Sequence, residues 1–99
     1  RGLPAMHEVL RRFEIHAEHA VFGHVHRAGP APGDDRDEWV DPPGPMLHNT
    51  GSWVYEPLLL AGAQPPHPYW PGGAVLIEDD AAPRQLRLLD DVPVHALQP

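Results

Sequence analysis

The chain is 99 residues long, enough for one modest domain. Its formal charge of −7, with seven arginines and no lysine, argues against general binding to nucleic-acid backbones. The absence of cysteine excludes a disulfide, a zinc ribbon and a thiol nucleophile. No apolar run approaches bilayer length and no signal-peptide layout precedes the first periodic segment, so no membrane partner is expected and the cytoplasm is the default compartment.

The 3- and 4-residue spacing of Met6, Val9, Leu10, Phe13 and Ala17 predicts a helix over Pro4–Ala17, with His7, Arg11, Glu14 and Glu18 on the opposite side. Pro4 suits its first turn, where a missing N–H costs nothing. His16 is expected on the buried side of this helix and His19 at its end. Ala20-Val21-Phe22 then reads as a short buried strand stopped by Gly23.

Gly23-His24-Val25-His26-Arg27 follows directly. On an extended backbone, residues i and i+2 face the same side, so both imidazoles can point into one volume beyond the strand end. Imidazole is a common ligand for zinc, manganese, iron and nickel, and glycine lets backbone approach an ion or anion closely. The fork of donors on Arg27 suits a substrate phosphate; the plainer role is an ion pair with a nearby carboxylate.

Ala28 to Pro45 reads as a loop dense in Pro, Gly and Asp, in which Asp34, Asp35, Asp37 and Glu38 are solvated and Glu38–Val40 forms a brief strand. Met46 to Thr50 is a second strand, ended by Gly51-Ser52, with Trp53-Val54-Tyr55 continuing the extended path. Glu56 to Gly72 is a second proline-rich excursion. Within it Tyr69-Trp70-Pro71 is a candidate pocket wall, although packing under the loops is the simpler role for Trp53, Tyr55, Tyr69 and Trp70. Gly73–Glu78 and Arg84–Leu89 form a hairpin through Asp79–Pro83, and apolar residues on both faces of its first strand predict an inner strand covered on both sides. The expected class is α/β, with one helix, about four to five strands and long Pro/Gly-rich loops, where the strand count is a pattern-level reading. One helix cannot cover both faces of such a sheet, so residues 1–99 are expected to be a single partial domain, and Arg1 in place of an initiating methionine fits that expectation.

Three of these segments, in order, resemble the C-terminal part of the calcineurin-like metallophosphoesterase family. Gly23-His24-Val25-His26-Arg27 is similar to its terminal Gly-His-x-His block, and His48-Asn49-Thr50-Gly51-Ser52-Trp53 to the Asn-x-Gly-Ser strand end that follows. The hairpin from Gly73 to Leu89 closes the match. The resemblance implies part of a β-sandwich flanked by helices and two divalent metal ions (Mn, Fe, Zn or Ni), with His24 on one and His26 on the other. It also implies hydrolysis of a phosphomonoester or phosphodiester by activated water. The family's other ligand blocks do not occur in this sequence, so the implied partners are a missing N-terminal part of the same domain and a phosphate-ester substrate. Two cations offset the negative charge of a phosphoester and activate water at neutral pH.

Two other readings remain open on the sequence. One is a non-catalytic assembly module that forms a homodimer through exposed strand edges. The other is a small metal-binding protein using His16, His19, His24 and His26, although no spacing enforces a four-ligand geometry.

Overall fold

The computed structural model describes residues 2–23 and 25–98. In chain order these form α1 (Gly2–Arg12), β1 (His19–Phe22), α2 (Arg36–Trp39), β2 (Met46–Asn49), α3 (Pro57–Leu60), β3 (Gly73–Leu76), β4 (Arg84–Arg87) and α4 (Val94–Leu97). Among the described residues this is a compact α/β fold with two small sheets of two strands each; α2, α3 and α4 are single helical turns. No described helix is long and apolar enough to cross a membrane.

Helix α1 begins two residues before Pro4 and ends five before Ala17. Its stop is a backbone motif, not a change in polarity. Ile15 N–H bonds the carbonyl of Leu10 at 3.0 Å and Glu14 N–H that of Arg11 at 3.1 Å, with Glu14 at φ 52°. That is a Schellman ending built on a glutamate instead of the usual glycine. The expected apolar stripe is therefore cut short. Leu3, Met6 and Leu10 pack with Ala20, Phe22, Trp39 and Leu47, whereas Phe13 is 74% exposed and His16 lies in solvent beyond the helix, not on its buried side.

Strands β1 and β2 pair in parallel, with His19 opposite Met46 and Phe22 opposite Asn49. Alternation sends Ala20, Phe22 and Leu47 toward α1 and His19, Val21 and His48 to the other face. His19 thus belongs to β1 and not to the helix end. The outer side of β2 is partly occupied by Gly29, which bridges Asn49, and by Val40, which bridges Met46.

The expected strand at Glu38–Val40 is a helical turn over its first two residues. The Asp35 carboxylate accepts from Asp37 N–H at 3.0 Å, and Asp37 and Glu38 occupy the first turn, where acidic groups complement the exposed N–H ends. Asp35, Asp37 and Glu38 are exposed, as expected of a solvated group, and Asp34 is half-buried. Trp39 is carried by this turn into the core, fully buried. Trp53–Tyr55 does not continue β2, because the Ser52 hydroxyl accepts from Val54 N–H at 3.0 Å and turns the chain.

The closing hairpin is antiparallel as expected, shortened to Gly73–Leu76 and Arg84–Arg87 with a connection over residues 77–83. Among the described residues β3 pairs with β4 alone, so it is not an inner strand, and Ile77 is 65% exposed. The hairpin joins the first sheet without a shared ladder. Gly72 N–H bonds Ser52 O at 2.9 Å, Trp53 Nε1 donates to Gly73 O at 2.9 Å, and Gln85 Nε2 donates to Gly29 O. Gly73 is required here: a Cβ on it would overlap the Thr50 carbonyl oxygen.

Candidate functional site

The C-terminal ends of parallel β1 and β2 lie side by side, so whatever follows each strand meets the other. Thr50 N–H bonds Phe22 O at 2.9 Å and extends the ladder by one step. Gly23 then passes so near Thr50 that a Cβ would stand 2.7 Å from its Oγ1. His24, the first expected ligand, lies outside the described residues. The chain is described again at Val25, which rests against Gly2 at the start of α1. His26, the second expected ligand, is exposed, and its ring makes no hydrogen bond to a described residue.

Asn49 is the buried counterpart of this turn. At zero exposure it ends β2, and its Nδ2 donates to the carbonyls of Val25, at 2.7 Å, and of Arg27. Among the described residues its Oδ1 has no donor.

His26 and Arg27 share the wall of a cleft of about 710 Å³ with His7, Glu8, Glu38 and Tyr69. Tyr69 thus reaches the cleft. Its neighbour Trp70 is buried, edge-on to Tyr55, with its Nε1 donating to Leu89 O at 2.8 Å. The cleft wall is laced by ion pairs. Arg11 bonds Asp41 at 2.7 Å and also meets Glu8, and His7 Nε2–H donates to Glu38 O at 3.0 Å. The hydrogen bond from Arg12 and the charge of Arg11 hold the Glu8 carboxyl below the usual range.

Arg27 is engaged rather than free. Its Nη2 lies 3.1 Å from Glu38 Oε1 and 3.6 Å from Asp34 Oδ2, and its guanidinium sits 5.1 Å from the Trp39 ring. Partial burial works against the charge, but the Glu38 hydrogen bond and the charges of Glu38 and Asp34 outweigh it and raise the guanidinium pKa. The residue is held at the cleft by two carboxylates with which any phosphate must compete.

The other face of the same sheet carries an arrangement that spacing along the sequence did not reveal. His19 Nδ1 and His48 Nε2 are 2.9 Å apart, one ring donating to the other, with ring centres at 5.0 Å. His48 is buried, and that burial, followed by the charge of His19, lowers its pKa from 6.5. The pairing needs the parallel register: Val21 sits opposite His48, which leaves His19 on the diagonal of the same face. Each histidine stands in a short strand, and only a guess at that register brings them together.

Among the described residues no three His, Asp or Glu side chains converge in a way that would hold a metal ion. His26 stands exposed on the wall of the cleft. Comparison with family models, with curated proteins and with solved structures gives no match.

Proposed function

We propose that the chain is the C-terminal portion of a binuclear metal-dependent phosphoesterase of the calcineurin-like kind, with its two small sheets forming part of a larger β-sandwich flanked by helices. The observation that carries this reading is the meeting of two strand ends. The turn after β1 bears His26 and Arg27 on one cleft, and the Asn49-Thr50-Gly51-Ser52 end of β2 supports it from below. An imidazole and a guanidinium thus stand at the C-terminal edge of a parallel pair, the position where α/β sheets keep their sites, and this supports the reading.

In this reading His24 and His26 each ligate one divalent cation, and Arg27 meets the substrate phosphate. Zinc, manganese, iron and nickel all suit the imidazole donor. The cations, when bound, supply charge neutralisation and water activation. The residues of this chain hold, orient and exclude. Asn49 and Gly23 keep the turn against β2, Trp39 gives Arg27 a flat apolar support, and Tyr69 closes one side of the cleft. The remaining ligands come from a preceding part of the same domain, and the protein works in the cytoplasm. Chain 1–99 alone is inactive in this account.

A second reading rests on one feature. Among the described residues β1 has β2 as its single strand partner, which leaves an edge open to a strand from another copy. A non-catalytic module would use that edge to dimerise. One experiment separates the readings: metal analysis of the complete gene product with assays on a generic phosphomonoester and phosphodiester, alongside His26→Ala. Bound divalent metal and hydrolysis that falls at least tenfold in His26→Ala support the enzyme. A metal-free, inactive dimer supports the module.

A further inference from the structure

We propose that Asn49 is the positioning residue of the histidine turn: by holding the carbonyls of Val25 and Arg27 with one amide, it sets where the His26 imidazole stands. The inference rests on the metal-site reading for its consequence, and on geometry alone for its structural half. Two observations favour this role over simple packing. First, Asn49 is completely buried, and its side-chain hydrogen bonds among the described residues go only to the two carbonyls flanking His26. A fully buried amide is costly unless its bonds are made, so an apolar residue would serve better if filling space were the task. Second, these bonds are the side-chain tie between the turn and β2. Val25, His26 and Arg27 belong to no strand or helix, and their backbone N–H groups make no backbone hydrogen bond among the described residues.

The consequence follows from chain geometry. Arg27's ion pairs and Val25's contact with Gly2 tie the turn to α1 and α2, but its tie to β2 is the Asn49 amide, and an imidazole on a loose turn samples many positions. Groups that orient a metal-bound histidine typically change metal affinity by about 10- to 100-fold when removed. Asn49 would act in that way through the backbone. It ligates nothing itself and is no substitute for the absent ligand blocks.

The test uses the complete gene product, zinc as the probe and four variants. Calorimetric titration measures zinc affinity, and NMR order parameters of the Val25–Arg27 amides report the turn on the ps–ns timescale. Asn49→Asp keeps the shape but removes the donor; Asn49→Ala is the alternative should a buried carboxylate prevent folding. Leu47→Ala, which opens a cavity in the core two residues before Asn49 and outside the site, controls for lost stability alone. His26→Ala reports on the ligand reading itself. The expected result is zinc binding weakened at least about tenfold in His26→Ala and in the Asn49 variants and unchanged in Leu47→Ala, with order lost at Val25–Arg27 in the Asn49 variants and kept in β1 and β2. Full zinc affinity in the Asn49 variants, or an equal loss in Leu47→Ala, overturns the proposal. If zinc binding by the complete gene product is the same in His26→Ala as in the unaltered protein, the metal-site reading falls. The order parameters then decide the positioning role: a turn that stays rigid without the Asn49 amide refutes it, and a turn that loosens sustains it.

Discussion

The ion pairs on Arg27 make a quantitative prediction about phosphate. The guanidinium is shared between Glu38 at 3.1 Å and Asp34 at 3.6 Å, with side-chain exposures of 27%, 49% and 20% for Arg27, Glu38 and Asp34. A phosphate that takes the same donors must displace or share with those carboxylates. Glu38 is the better placed of the two and the more exposed, so Glu38→Gln removes its charge with little change in packing. An ion pair of this exposure contributes roughly 0.5–1 kcal/mol, which converts to about a two- to fivefold change in a dissociation constant. Inorganic phosphate titrated into the zinc-loaded complete gene product, followed by phosphorus NMR, is therefore expected to bind about two- to fivefold more tightly to Glu38→Gln, and to lose most of its binding in Arg27→Met. Raising the salt concentration narrows the difference, because the pair is largely solvent-screened. Phosphate affinity that is the same in the unaltered chain, in Glu38→Gln and in Arg27→Met refutes the assignment of Arg27 to substrate and leaves it as a brace for the Asp34–Trp39 segment.

Two further outcomes follow from the fold. His48 is held neutral by burial and by its neighbour His19, so the unfolded chain binds protons more readily; stability is expected to fall as pH drops through about 6.5 and to level off below the folded-state value, with thermal melting across pH 5–8 flattened by His48→Gln. Gly73→Ala drives a methyl into the Thr50 carbonyl oxygen, backbone that cannot swing aside, and is expected to cost about 1–3 kcal/mol in urea unfolding, a loss that an unchanged midpoint would disprove.

Much of this architecture could be read from residue pattern, for reasons that individual elements make plain. The apolar triplet ending at Gly23, the Met46–Asn49 strand and the antiparallel hairpin each rest on local β propensity bounded by glycine or proline, and all three appear close to their expected places. Periodicity misled where backbone hydrogen bonding overrode it. The helical stripe ran on to Ala17 in sequence, yet the Glu14 reversal ended α1 at Arg12, and the Asp35-capped turn Arg36–Trp39 took in Glu38 and Trp39, where Glu38–Val40 reads as a brief strand. Sheet membership was not legible at all. A hairpin strand with apolar residues on both faces looks like an inner strand, and nothing local reveals that β3 meets β2 through glycine contacts instead of a ladder. At the site, Gly23 to Arg27 stood out because ligands two residues apart are a local signal. Asn49 and the His19–His48 pair did not, because their meaning depends on residues more than twenty positions away.

The crowding about Thr50 has a practical bearing on anyone wishing to redesign this molecule. Gly23 presses on its hydroxyl, Gly73 on its carbonyl, and the adjoining Gly51, at φ 82°, on Ala28. Growth at any of these three points has nowhere to go except into the neighbouring turn. Libraries aimed at new specificity will find little tolerance there and more at exposed positions of the long excursions on either side, such as Pro32, Leu58 and Gln64.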